Sequence, residues 1–191
     1  ETSITPRMEL RHEWLTLAPS TPAGVPTKFE FYLGVDGISV AMILLTTVLC
    51  VSAVLVSWTA VTERAAEFYA ALLILEAGLL GVFCAFDLLL FYVFFEFTLI
   101  PLFFLVGIWG GPLRKYAAGK FFIYTLGGSL ITLLGLVSLS LMVHQETGLD
   151  TPFSIPDLAH TLLNHRLSVP VQTTLFLMIA AGFMVKVPLF P

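Results

Sequence analysis

The stretch FYAALLILEAGLLGVFCAFDLLLFYVFFEFTLIPLFFLVGI, Phe68–Ile108, decides the fold. Its 41 residues hold three charged side chains, Glu76, Asp87 and Glu96. As one straight helix it would be about 62 Å long at ~1.5 Å per residue. That is twice a hydrocarbon core of ~30 Å. The run must therefore fold back on itself, and Asp87, the charge between two apolar halves, marks the turn. Each half is a membrane span, Phe68–Phe86 and Leu88–Ile108, and Asp87 suits the N-cap of the second.

The rest of the chain agrees with this reading. Of 191 residues 58% are hydrophobic and 12% charged, with a mean hydropathy of +0.95, whereas soluble domains run near ~25% charged. A net charge of −4 argues against a nucleic-acid partner, which draws a basic patch, and makes the lipid bilayer the first partner. Ile38–Trp58 is a further uncharged span with an aromatic anchor at its end. Phe121–Val143 is another; its Gly128, Thr132 and Gly135 form a small-residue stripe of the kind that lets helices approach closely in lipid. Gln172–Pro191 is the fifth. Pro156–Ser168 reads as an interfacial helix, because Asp157 and Arg166 bound its leucines. The fold class is thus all-α, a polytopic transmembrane helix bundle of about five spans. Residues 1–36, polar and interrupted by Pro6, Pro19, Pro22 and Pro26, are expected to be an extramembrane loop before a transmembrane domain at 37–191. Glu1 in place of a start methionine and the apolar run up to Pro191 suggest an internal piece of a longer polytopic protein.

Positive charge orients the spans. Arg64, Arg114, Lys115 and Lys120 share the 59–67 and 109–120 connections, which favours that side as cytoplasmic. Cys50 and Cys84 lie inside apolar spans, and no metal-ligand cluster, haem-attachment motif or phosphate loop is visible. No cofactor or metal is expected in this chain.

Three charges sit within spans: Glu76, Glu96 and Lys186. Such residues are costly in a bilayer and usually pair or line a hydrated path. Glu76 and Glu96 fall about 16 and 14 Å from the turn, and Lys186 about 20 Å along its span from the same side. Glu76 and Glu96 are therefore placed to face one another near the midplane. Pro101 removes the amide that would bond to the carbonyl of Phe97, and Pro188 acts likewise just after Lys186, so broken helices are expected beside both charges. Broken helices beside ionisable groups mark ion pathways. A plain structural ion pair in a passive membrane scaffold is the competing reading. Lys115 and Lys120 suit interfacial anchors, with Lys120 close enough to the fourth span to feed a path. The histidines lie outside the spans, and the aromatics around Glu96 read as packed core or lipid-facing surface.

GVDGIS at Gly34–Ser39, LLFYVFFEFTLIPLFFLVGIWG at Leu89–Gly110, KFFIYTLGGSL at Lys120–Leu130 and FMVKVPLFP at Phe183–Pro191 together resemble one family. It is the antiporter-like membrane subunits of proton-pumping NADH:quinone oxidoreductase, respiratory complex I, in the branch of subunit M (chain 4). The resemblance runs from about Phe29 onward. It implies an antiporter-like fold of about fourteen helices, of which this chain covers the third to the seventh, with a proline-broken helix at its C-terminal end. Glu96 matches the glutamate of the family's fifth helix and Lys186 the lysine of its broken seventh helix, the functional pair for proton translocation. Glu76 matches a glutamate of the fourth helix, and Lys120 opens the sixth. The later helices, with their own lysine and glutamate, are missing from the chain. The resemblance further implies other complex I membrane subunits as partners, with NADH, FMN, iron–sulfur clusters and quinone in partner subunits. The expected location is the bacterial inner membrane, with the mitochondrial inner or thylakoid membrane as alternatives. The alternative function is an antiporter subunit of a multisubunit cation/proton exchanger or a membrane-bound hydrogenase.

Overall fold

A computed structural model describes residues 6–17, 24–187 and 189. Among the described residues seven helices follow a two-stranded hairpin. Five membrane crossings arise from them by length and composition: α1 (Gly37–Ala60), α2 (Ala65–Cys84), α3 with α4 (Leu88–Phe97 and Leu99–Trp109, one crossing), α5 (Arg114–Thr147) and α7 (Val169–Lys186). The short α6 (Ile155–Asn164) lies between α5 and α7.

The segment expected as a loop contains strands β1 (Met8–Leu17) and β2 (Thr27–Val35), paired antiparallel with Met8 opposite Val35 and a bulge between Glu13 and Leu15. The prolines that suggested a loop flank the strands rather than interrupt them. Between them the pattern has period 2: Glu30, Tyr32 and Gly34 of β2 turn inward and their neighbours are more exposed. β2 then joins the helices. The Phe86 amide donates to the Tyr32 carbonyl (2.9 Å), the Ile155 amide to the Phe86 carbonyl (2.9 Å), and the Leu88 amide to the Phe153 carbonyl (2.8 Å). The turn between α2 and α3 is thus held by backbone bonds on both sides.

Caps set the helix starts and stops. Asp36 of the GVDGIS motif accepts from the Ser39 amide at 2.7 Å and opens α1. Asp87 accepts from the Leu89 and Leu90 amides, both at 2.9 Å, and opens α3. α5 runs on through His144, which the sequence reading places outside the span, until Gly148 adopts φ +70° and its amide closes on the His144 carbonyl. Polar residues alone do not stop a helix; the left-handed glycine does. Likewise α6 ends at Asn164, and α7 begins at Val169 with Pro170 in its first turn.

Glycines fix the helix contacts. A Cβ on Gly182 of α7 would overlap Thr132 Oγ1 and lie 2.6 Å from the Gly128 carbonyl of α5. A Cβ on Gly128 would lie 2.6 Å from Val185, and one on Gly135 2.9 Å from Ile179. The small-residue stripe of α5 is therefore the seat of α7. On the other flank Gly81 of α2 lies against the Phe94 ring, and Gly78 against the methyl of Thr98. α7 in turn reaches the end of α3, where Phe183 packs on Phe95.

Candidate functional site

At the α3–α4 junction the helix is interrupted. α3 ends at Phe97, Thr98 serves as its C-cap and as the N-cap of α4, and Pro101 is buried in the first turn of α4. A proline clashes with the carbonyl four residues back, here that of Phe97, so the interruption falls where Pro101 disturbs the ladder. The Thr98 hydroxyl donates to the Phe95 carbonyl at 2.8 Å.

Glu96 stands two residues before the break. Both its carboxylate oxygens are buried and neither has a hydrogen-bond partner. Lys186, the last residue of α7, is half-buried. Its Nζ donates to the Phe95 carbonyl at 2.7 Å and stands 3.2 Å from the centre of the Phe95 ring. No ion pair joins Lys186 to Glu96 among the described residues; the salt bridges there lie elsewhere. Glu96 is nonetheless the charge whose field acts on Lys186. Phe95 and Glu96 are consecutive and so point about 100° apart on the helix. The ammonium occupies the Phe95 side. The Phe95 ring is itself held, stacked on Phe91 (centroids 5.7 Å) and edge-on to Phe183 (5.6 Å) of α7.

The other sequence candidates are placed differently. Glu76 is half-buried, but it lies on the opposite side of α2 from Gly78 and Gly81, which contact α4 and α3. Its charge acts on Cys50 of α1. The expected facing of Glu76 and Glu96 is corrected: rotation about the α2 axis turns Glu76 away from the face that meets α3 and toward α1. Lys120 is exposed, with Nζ 6.0 Å from the Tyr116 ring, and the structure does not join it to Glu96 or Lys186. Pro188 lies outside the described residues.

A second polar cluster sits at the outer end of α3 and was not anticipated. Asp87 is 2% exposed, and its Oδ2 has no partner. Burial pushes its carboxyl up from 3.8 to about 6, against the two backbone amides that favour the charge, and the negative charge of Glu30 adds to the rise. Glu30, also buried, pairs with Arg11 at 2.7 Å; Arg11 reaches Asp157 at 2.6 Å, and the Thr151 hydroxyl donates to Asp157 at 2.8 Å. Arg11, Glu30, Thr151 and Asp157 line a polar cavity of about 470 Å³. The signal in the sequence was a lone glutamate at an inward position of an aromatic strand, FEFY at 29–32.

A bundle of membrane-length helices, one broken beside a buried carboxylate and one ending on a half-buried lysine, defines a polytopic membrane protein of the broken-helix class. Residues 85–191 match the family described as NADH:quinone oxidoreductase/Mrp antiporter, TM, and the chain belongs to that family. Subunit M of the NADH-quinone oxidoreductase of Rhodobacter capsulatus is 45% identical over 166 residues, covering 85% of this chain and 32% of the relative. Chain 4 of the NADH-ubiquinone oxidoreductase of Arabidopsis thaliana is 44% identical, covering 86% and 31%. Among solved structures, a chain of respiratory complex I from Thermus thermophilus with bound NADH superposes with a TM-score of 0.68 at 32% identity, covering 93% of this chain and 34% of that one. The chain therefore spans about a third of the length of these relatives.

Proposed function

We propose that the chain forms part of a proton-translocating membrane subunit of an NADH:quinone oxidoreductase. In this reading Glu96 and Lys186 are the proton-handling pair, and electron transfer takes place in partner subunits. Those partners carry the NADH site, FMN, iron–sulfur clusters and quinone, and this chain contributes charge movement only. The observation that carries the reading is the Lys186 ammonium seated on the carbonyl of Phe95, the residue before Glu96, whose buried carboxylate is unpartnered, at a helix break within a membrane span. Leaving a carboxylate unpartnered in such surroundings costs several kcal/mol if charged. The site therefore favours either a proton on Glu96 or the arrival of a cation. Lys186, held on the carbonyl of the preceding residue, is the cation at hand. A lysine that moves between two seats, with a carboxylate that takes a proton when the lysine leaves, couples charge movement to proton movement.

Replacing Glu96 by Gln in the assembled complex tests this. The expected result is normal insertion and assembly with loss of coupled proton pumping. Normal pumping by Glu96→Gln overturns the reading and leaves the buried charges as structural. The family also takes in Mrp antiporters, and co-purification of exchanger subunits in place of quinone-oxidoreductase subunits would move the chain to that branch.

A further inference from the structure

We propose that Phe95 and Thr98 are positioning residues that build a second, resting seat for the Lys186 ammonium, apart from Glu96. This rests on the proton-translocation reading and says where the lysine goes when it is not paired. The seat has two parts. One is the π face of Phe95, 3.2 Å from Nζ to the ring centre, and the other is the Phe95 carbonyl at 2.7 Å. A cation over an aromatic face is favoured more strongly when water is absent. Phe91 and Phe183 hold the ring in place from two sides. Phe183 lies three residues before Lys186, on the same face of α7.

Thr98 makes the seat reversible. A buried carbonyl that loses its donor is penalised. The Thr98 hydroxyl also donates to the Phe95 carbonyl, at 2.8 Å. When Lys186 leaves for Glu96, that oxygen keeps a partner. The Thr98 methyl, against Gly78 of α2, holds the hydroxyl in this orientation. The helix break, the aromatic trio and the threonine thereby form one device, with the ammonium poised between a neutral seat and a carboxylate.

The test uses the assembled complex with the full-length subunit. Phe95 is replaced, by suppression of a stop codon, with mono-, di- and trifluorophenylalanine, which keep the ring's shape and drain its π face. Proton pumping is read against electron transfer, alongside the amount of assembled complex. The expected result is a stepwise fall in pumping, reaching about twofold to thirtyfold for the trifluoro ring, with assembly unchanged. A trifluoro variant that pumps like the parent overturns the seat, since a ring that only packs is indifferent to fluorine. Thr98→Val is expected to slow pumping about fivefold or more and Thr98→Ser to restore it. Equal pumping by the two overturns the role of the hydroxyl. If Glu96→Gln abolishes pumping while the fluorine series is flat, the proposed function stands and only the seat fails.

Discussion

Asp87 shows how much one residue can carry. The sequence placed it at a turn and as a helix cap, and the two bonds to the Leu89 and Leu90 amides bear out the cap. What it could not convey is that β2 and the 153–155 segment close over the turn and leave Oδ2 without a partner. Burial raises the Asp87 carboxyl from 3.8 to about 6. The folded chain thus holds this proton to higher pH than the unfolded chain does. Stability from this group is present in full below about pH 4 and is lost as pH rises through about 6, a difference on the order of 3 kcal/mol. Asn also caps helices well, so Asp87→Asn should keep α3 while removing the titration. The expected outcome is that the parent's melting temperature falls between pH 4 and 6 and that of Asp87→Asn stays nearly level there. Parallel curves for the two proteins would show that Asp87 does not titrate in that window.

At the scale of elements, hydrophobic runs reveal that helices exist, and small residues reveal where they touch. The Gly128–Thr132–Gly135 stripe was legible because three small residues on one face of a long apolar helix have little other use in lipid. Its partner Gly182 was not, since one glycine in an apolar helix carries no periodicity. The hairpin is hidden for a related reason: prolines and charges dominate residues 1–36, while the period-2 pattern is confined to short stretches between them. Helix rotation was the other gap, and it is what separated Glu76 from Glu96. The α5–α7 contact gives a test with an internal control. Gly182→Ala places a methyl onto Thr132 Oγ1 and near the Gly128 carbonyl, and overpacking of this kind costs about 1–3 kcal/mol. Gly127→Ala, on the same stretch of α5 with nothing within 4 Å of the added methyl, should be neutral or slightly stabilising, because Ala is the better helix former. Thermal unfolding in detergent is expected to separate the two variants, and because Gly182 lies one turn before Lys186, Gly182→Ala should also lower pumping.

Over the whole molecule, the polar outer end and the apolar bundle meet through α3. Arg11 on β1 joins Glu30 on β2 to Asp157 on α6, and β2 is stitched in turn to the segment that opens α3. The ties differ in worth. Lys28 pairs with Glu13 and Asp150 at 3.1 and 3.2 Å, but both carboxylates are about half exposed, and pairs of that kind contribute about 0–1 kcal/mol and weaken in salt. Glu30 is only 6% exposed, so removing Arg11 strands a buried negative charge close enough to act on Asp87. Breaking a buried pair from one side costs about 3–5 kcal/mol, whereas replacing both partners with apolar groups of similar size is often close to neutral. Arg11→Met should therefore lower stability by roughly 3 kcal/mol. Arg11→Met combined with Glu30→Met should recover most of that loss, even though it lacks the ion pair altogether. Asp157 sharpens the expectation: it is about a third exposed and keeps the Thr151 hydroxyl as a donor, so losing Arg11 leaves it satisfied, and the penalty belongs to Glu30. Hydrogen exchange at the Phe86 and Leu88 amides, which bond across to β2 and the 153–155 segment, reads whether the damage reaches the start of α3. Faster exchange there in Arg11→Met, restored in the double variant, is the expected pattern. Unchanged exchange in both would mean that the outer cluster is held independently of the helix that carries Glu96.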